Sequence, residues 1–380
     1  MASRITPGQI KRNNRKLIYD YIYQNKRVSQ QDIAYALRLS RPTVAASLTE
    51  MEEDGLVFRD GQVDSDQIGR KAVAYTIADQ HRIAIGVELM RKVVKIIAVT
   101  LYGEVIMREV YTILFEKTEK YYKTVCDTIM EFITKNDFQD EQILGVGFAM
   151  QGLVTADGKK VLYGVILDCT GLTTDVFARY LKYPCLFVHD PEGAAFSELW
   201  VSPELNDAIY LSLSRHLGGA LIADRQVRSG KHGHNTTFEH IQMKPRGKLC
   251  YCGKRGCMET LLSMKELMGE REPEDFFRAV RSGEAEEAAQ WAEYLQNLGR
   301  LISIIHLVND VDIILGGHLS AYLLPEDVEV LYREVNQLVP FEEKNDYLLI
   351  SKMPRHSITV GAALPFVREF LDHVGHEAGM

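Results

Sequence analysis

The chain has 380 residues, 46% of them hydrophobic and 25% charged, with a net charge of −8. That length calls for two or three units rather than one small domain, and the composition excludes collagenous, low-complexity and disulfide-scaffold classes. There is no run of about 18 apolar residues to cross a membrane, and no apolar core follows the basic start "MASRITPGQIKRNNRK", so neither a membrane anchor nor a secretory signal is expected and the cytoplasm is the expected compartment.

The charge is uneven. Residues 1–47 hold nine Lys/Arg (Arg4, Lys11, Arg12, Arg15, Lys16, Lys26, Arg27, Arg38 and Arg41) against only Asp20 and Asp32, so the acidity lies in the rest of the chain. A basic end on an acidic body points to an anionic partner for that end. The pattern there agrees. "NRKLIYDYIYQNKRV" places Leu17, Ile18, Tyr21 and Ile22 on one helical stripe. A second helix opens at Ser29 as N-cap and buries Ile33, Ala36 and Leu37. After a very short turn, Ser40 caps a third helix with Pro42 in its first turn, an inner stripe of Val44, Leu48 and Met51, and an end at Gly55. Two helices joined by a tight turn, behind a supporting helix, make a helix-turn-helix whose last helix enters the major groove. The residues expected to face DNA are Ser40, Arg41, Thr43, Ser47 and Ala46. "LVFRDGQV" and "KAVAYTIA" read as two strands of a wing around "DSDQIGR", with Arg70 and Lys71 at its base within reach of phosphate or the minor groove.

From about residue 81 the style changes. Three strands over "RIAIGVELMRKVVKIIAVTLYGEVI" precede a helix near 121–134 and the buried strand "ILGVGFAM"; "YPCLFVHDPEGAAFSELW" is a strand running into a helix. A hairpin follows in "DAIYLSLSRHLGGALIADRQV", then a long helix, the strand "VDIILGGHLS" and a closing helix. Hairpins leading into strand–helix units, twice over, suggest an α/β body of two lobes around a cleft. The expected units are residues 1–80, a winged helix-turn-helix, and 81–380. In the body, lobe one is expected to span about 81–195 plus the C-terminal helix, and lobe two about 196–357.

Cys126, Cys169 and Cys185 sit among apolar neighbours and read as small core residues. Cys250, Cys252 and Cys257 differ, falling within eight positions with His240 ten residues ahead. The run His240, Cys250, Cys252, Gly253, Gly256, Cys257, Glu259 resembles the signature of the repressor–ORF–kinase (ROK) family with every spacing intact. With the winged helix in front, the whole chain resembles the sugar-operon repressors of that family. The resemblance implies an actin-like, ribonuclease-H-type body with a sugar site between its lobes. One imidazole and three thiolates fill a tetrahedral zinc shell with no open position, so one structural zinc per chain is expected, fixing the loop that presents Glu259.

The kinases of the family cradle ATP phosphates on two glycine-rich turns. Here the first reads Glu88, Leu89, Met90, Arg91, Lys92 and the second Ser214, Arg215, His216, so catalysis is not expected. Asp190 matches the family's catalytic Asp; its other expected role is to cap the next helix, with Pro191 at the first helical position. His189 replaces the Asn before it. Glu259 matches a second sugar-binding acid, another falls on Thr237, Glu239 takes a glycine position, and Gln151 stands where proline precedes Gly152. The expected function is a sugar-responsive repressor that binds operator DNA as a homodimer or homotetramer. The alternatives are an active sugar kinase with a DNA-binding extension, and a regulator governed by a protein partner with a vestigial pocket.

Overall fold

The computed structural model describes residues 6–62, 72–341 and 344–374. The chain opens with helix α1 (Pro7–Asn25), whose start is fixed by Thr6: its hydroxyl accepts from the Gln9 amide while Gln9 reaches back to the Thr6 amide. Strand β1 (Val28–Ser29) leads into α2 (Gln30–Leu37), where Ser29 and Asp32 form the same reciprocal cap. Arg38, in the left-handed region at φ 54°, turns the chain into α3 (Arg41–Glu53). The Ser40 cap and the Gly55 stop expected from sequence are both present. Strands β2 (Val57–Gln62) and β3 (Val73–Ile77) complete a sheet of order β1-β3-β2, the winged helix; Arg70 and Lys71 lie outside the described residues.

Two inner stripes differ from expectation. In α1 the buried residues are Arg15, Ile18, Tyr19 and Ile22, whereas Leu17 is half exposed and Tyr21 only partly buried. In α2 Ala34 is buried with Ile33, Ala36 is exposed and Leu37 is half buried. In both cases the helix is rotated by about one residue, because Tyr19 and Ala34 face the body and the neighbouring helices rather than water.

The body repeats one topology. Strands β4 (Ile83–Leu89), β5 (Val94–Val99) and β6 (Val105–Tyr111) form an antiparallel meander. After helix α4 (Glu119–Lys135), β7 (Ile143–Met150) lies parallel to β4. The hairpin β8 (Leu153–Val154) and β9 (Val161–Tyr163) and the short α5 (Asp175–Ala178) lead to β10 (Cys185–His189), parallel to β7. The order is β10-β7-β4-β5-β6. After α6 (Asp190–Val201) the pattern recurs: β11 (Ala208–Leu213), β12 (Leu217–Ala223) and β13 (Gln226–Val227) form a meander. Helices α7 (Glu259–Leu262), α8 (Met264–Met268), α9 (Pro273–Ser282) and α10 (Ala285–Val308) come next. Strand β14 (Asp312–Gly316), α11 (Pro325–Asn336) and β15 (Leu348–Ile350) complete the sheet β13-β12-β11-β14-β15, with β14 parallel to β11 and to β15. Helix α12 (Ser357–His373) closes the structure and packs on α6, β7, β4 and β5.

Glycines let α12 lie directly on the first body sheet. A Cβ on Gly86 would stand 2.0 Å from the Thr359 carbonyl oxygen, one on Gly147 1.8 Å from that of Ala362, and one on Gly361 1.8 Å from that of Gly193. The far half of α12 (Phe366, Val367, Phe370) and its C-cap Val374 share a hydrophobic cluster with Ile18, Ile22, Leu48 and Met51 of the winged helix and with Ala84, Ile97 and Val99 of the body. The junction is also polar: the Tyr23 hydroxyl donates to the Leu101 carbonyl at 2.9 Å, and its ring stacks on Tyr102 at 4.8 Å. Among the described residues no helix is long and apolar enough to cross a membrane.

Gly147→Ala is expected to destabilise the protein by about 1–3 kcal/mol or more, since backbone rather than a flexible side chain must yield. Gly8→Ala, in open space on α1, is expected to be neutral or to stabilise by up to about 1 kcal/mol. Urea unfolding of the two variants checks the contrast.

Candidate functional site

The carboxyl ends of β4, β7 and β10 in one body sheet and of β11 and β14 in the other converge on a cleft, the usual ligand position for parallel strands. It encloses about 790 Å³ counting its open mouth. Asp190, His189, Gly152, Thr237, Glu239 and His240 all line it, as does Gln151.

Asp190 is the first residue of α6, with Pro191 second; the N-cap is His189 and no side chain caps the helix. The expected capping role of Asp190 is therefore absent, because the helix begins one residue earlier than expected, with His189 as N-cap. Instead its Oδ1 is buried with no hydrogen-bond partner. Burial, reinforced by the Glu88 carboxylate and opposed by Lys95, raises its pKa well above the ordinary carboxylate value. Burial likewise lowers His189 to about 4. Across the cleft Glu239 is buried, its Oε2 unpartnered, and burial pushes it up to about 8. The free cleft thus disfavours charge at each of these positions.

Glu259 differs from expectation. It does not line the cleft: one oxygen accepts from the Leu217 amide at 2.9 Å and the other pairs with His216 Nδ1 at 2.6 Å. His216 occupies the wall in its place, with Tyr251 edge-on to it at 5.6 Å. His216, Tyr251, Tyr163, Glu88 and His318 are lining residues that sequence reasoning did not select. Three carried a signal, since Glu88 and His216 lie in the two altered turns and Tyr251 between two of the cysteines.

The two altered turns are filled. Met90 lines the cleft, its amide bonding to the Val93 carbonyl, and Arg91 reaches across to the Ile166 carbonyl. Ser214 Oγ accepts from the His318 amide at 3.2 Å and meets His318 Nδ1 at the same distance, so that backbone donor is used internally. Gly218 and Gly219 lie within β12 rather than in a turn; a Cβ there would strike Pro191 and Phe238 respectively.

The ligating atoms of His240, Cys250, Cys252 and Cys257 lie within 4.8 Å of one another, a cluster that could hold a metal ion. Gly253 (φ 82°) and Gly256 (φ 73°) take left-handed turns around it. A Cβ on Gly256 would stand 1.5 Å from the Lys244 carbonyl oxygen. Cys250 Sγ faces His240 Nδ1 at 3.9 Å, and the Nε2 of that ring lies 3.8 Å from Glu239. The cysteine loop thus carries His240 and Tyr251 to the cleft wall.

At the other end of the molecule α3 presents Arg41 and Ala46 to solvent, with Thr43 half buried. Ser40 is exposed, but its hydroxyl is shared between the Thr43 amide and the Thr43 hydroxyl. Ser47 is buried, contrary to expectation, because it lies three residues after Val44 on the same inner stripe. Thr49 and Pro42 take outward positions instead. The Arg41 carbonyl accepts from Gln30 of α2 at 3.0 Å, which fixes the start of α3.

The sequence model of the ROK family matches residues 84–368, and a winged helix-turn-helix DNA-binding model matches residues 11–57. Among curated proteins, the DNA-binding transcriptional dual regulator NagC of Escherichia coli (strain K12) is 25% identical over 334 residues, covering 82% of each chain. The xylose repressor of Bacillus spizizenii is 23% identical over 379 residues, covering 96% of this chain and 97% of that one. Among solved structures, a ROK family transcriptional regulator, a homologue of the E. coli Mlc protein, aligns with a TM-score of 0.73 at 20% identity over 96% of this chain and 98% of that one. A ROK family glucokinase from Streptomyces griseus, in complex with glucose and AMPPNP, aligns with a TM-score of 0.63 at 20% identity over 74% of this chain and 98% of that one.

The raised Asp190 pKa has a consequence for stability. The folded chain holds that proton more tightly than the unfolded chain, so stability falls as pH rises above the ordinary carboxylate range near about 4. Asp190→Asn removes the effect: the variant is expected to melt above the parent at pH 7–8, with the gap closing toward pH 4. Thermal unfolding across that range checks it.

Proposed function

The chain belongs to the ROK family, and on that premise we propose that it is a sugar-responsive transcriptional regulator. In this reading it represses a carbohydrate-utilisation operon in the cytoplasm, binds operator DNA as a homodimer or homotetramer, holds one structural zinc and has no kinase activity. The observation that carries the reading is the buried, unpartnered Oδ1 of Asp190 inside a cleft that one helix, α12, joins to a winged helix. Ile358 at the start of α12 lines the cleft, while Phe370 and Val374 at its far end pack in the cluster that includes α1 and α3. A polyhydroxylated ligand would supply the partners that Asp190 and Glu239 lack and would draw the two walls together. Whatever affinity it gains for the closed cleft shifts the equilibrium of the element that carries the DNA-binding unit. The filled turns at Met90 and Ser214 argue against nucleotide phosphates.

The cysteine cluster fits zinc. With Zn–S bonds of about 2.3 Å, tetrahedral sulfurs stand about 3.8 Å apart, and Cys252 and Cys257 Sγ are 3.7 Å apart. His240 and the three cysteines would hold the ion, which would supply structural cross-linking of the loop and no open coordination position. The domain limits proposed are those of the sequence reading, residues 1–80 and 81–380, with the lobes as given there.

Two outcomes are expected. Purified protein should contain about one zinc per chain by elemental analysis, and Cys252→Ser should lose it with a lower melting temperature. Protein footprinted on genomic DNA should protect a specific site. Arg41→Ala should weaken that site by about 1–3 kcal/mol and relax its sequence preference, whereas Lys71→Ala should weaken all DNA equally. Titrating sugars into the complex completes the test: no sugar effect on DNA binding, together with co-purification of a protein that does change it, would replace the sugar reading with control by a partner.

A further inference from the structure

The lining of the cleft is chemically two-sided. Asp190, His216 and Glu239 bring polar groups to it, whereas Met90, Leu153, Tyr163, Val165 and Ile166 supply a run of carbon-rich surface from the half of the body that holds β4 to β10. Met90 belongs to the altered first turn, and Val165 is the most open of the five at 42% exposure. Ile166 beside it is half buried and rooted in the hydrophobic cluster below. An exposed valine on an untethered loop would mean little, but this stretch is fixed at every residue. The Gly164 carbonyl accepts from the Cys169 amide at 2.9 Å, the Val165 carbonyl from the Asp168 amide at 3.2 Å, and the Ile166 carbonyl from the Arg91 guanidinium. The Gly164 amide donates to the Thr170 hydroxyl at 3.0 Å, and Lys117 holds the Thr170 carbonyl at 3.1 Å. A Cβ on Gly164 would stand 2.4 Å from Cys169 Sγ, so the turn beneath is tightly packed. The same bonds use up the carbonyls of residues 164–166, and the Met90 amide is spent on the Val93 carbonyl at 2.9 Å. What this ledge offers a ligand is carbon. Aromatic rings close it off, Tyr163 from the ledge itself and Tyr251 from the cysteine loop, both lining the cleft.

We propose that Met90, Tyr163, Val165 and Ile166 form an aglycone subsite, so that the effector is a glycoside carrying an apolar group, aryl or alkyl, rather than a free sugar. Its sugar ring lies against Asp190 and Glu239, and its aglycone lies on the ledge. The ledge and the polar residues line one continuous cleft, which places both parts within a single ligand. A second sugar ring suits the ledge poorly: its hydroxyls would lose water and find the nearby carbonyls already bonded. An aryl or alkyl group loses only apolar hydration there, and an aryl ring also gains the faces of Tyr163 and Tyr251. A fixed apolar wall with a few placed polar groups opposite is the usual build of a site for such an amphipathic molecule. The inference rests on the reading of the cleft as a sugar site and adds the chemical class of the glycoside. It also gives a use to Met90, which fills the first altered turn.

The test separates the two claims. Isothermal titration compares common hexoses and pentoses with their own methyl and phenyl glycosides, in both anomers, and with disaccharides of the same sugars. It is run on the parent protein and on Val165→Asn and Met90→Gln, two changes at side chains outside the buried core. The expected result is that at least one phenyl glycoside binds about tenfold or more tighter than its parent sugar. Val165→Asn is expected to lose most of that advantage while keeping the parent sugar's affinity, and Met90→Gln to reduce it in the same direction. If sugars bind but no glycoside binds better than its parent, the aglycone subsite is wrong and the sugar cleft stands. If disaccharides gain as much as phenyl glycosides, the ledge takes a second sugar and the proposal fails. If both variants keep the full advantage, or weaken glycoside and parent sugar equally, the ledge is not where the aglycone lies and the proposal fails. If no sugar, glycoside or disaccharide binds, the proposal fails together with the sugar reading.

Discussion

The contact on which the rest of the structure depends is backbone against backbone, where α12 crosses β4 and β7. At Gly86 and Gly147 there is no room for even a methyl group, so the helix axis sits closer to the sheet than side chains would allow, and Gly361 makes the same close approach to α6. Packed interiors do not deform smoothly, and a helix held this closely moves with what it touches. Its first turn borders the cleft, Thr359 bonds to Glu88 in the cleft wall, and its last turns belong to the hydrophobic cluster of the winged helix. The cleft and the DNA-binding unit are thereby parts of one packed system.

The cleft itself is built to be incomplete. Asp190 and Glu239 each bury an oxygen with nothing to bond, a costly arrangement in a low-dielectric site. The protein meets that cost by disfavouring ionisation: Asp190 and Glu239 are raised and His189 is lowered, each chiefly by burial. In the proposed reading, a ligand rich in hydroxyls would relieve the same groups, and occupancy would be coupled to closure without any bond being made or broken. Glu259 serves this wall indirectly. By holding the Leu217 amide and His216 it fixes the turn that replaces a phosphate cradle, while the cysteine loop brings Tyr251 against the same histidine.

At the DNA-binding end, the short side chains at the start of α3 serve the helix before they serve any partner. Ser40 and Thr43 satisfy each other and the first amides, and Gln30 ties α2 to the Arg41 carbonyl. Arg41 is left as the one long cation on the outward face of α3. The stacking of Tyr23 on Tyr102, with Lys26 over the same ring at 5.0 Å and the Trp200 indole donating to the Tyr102 carbonyl, sets the angle at which that face leaves the body.

Much was legible in the sequence because local chemistry dictates it. The Ser29 and Ser40 caps, the stop at Gly55, the twice-repeated hairpin-and-strand pattern and the spacing of His240, Cys250, Cys252 and Cys257 each follow from neighbours within a few residues. What failed needed the third dimension. Ser47 and Leu17 were assigned to the wrong faces because a helix of mixed residues has several plausible stripes, and the partner surface chooses among them. The signature spacing of Glu259 says nothing of whether its oxygens point at a ligand or at the Leu217 amide; the fold decided that by bringing Leu217 and His216 against it. The capping role of Asp190 was lost by one residue of helix register. Sequence determines what depends on neighbours along the chain, and tertiary structure decides which side chains, distant in the chain, share one environment.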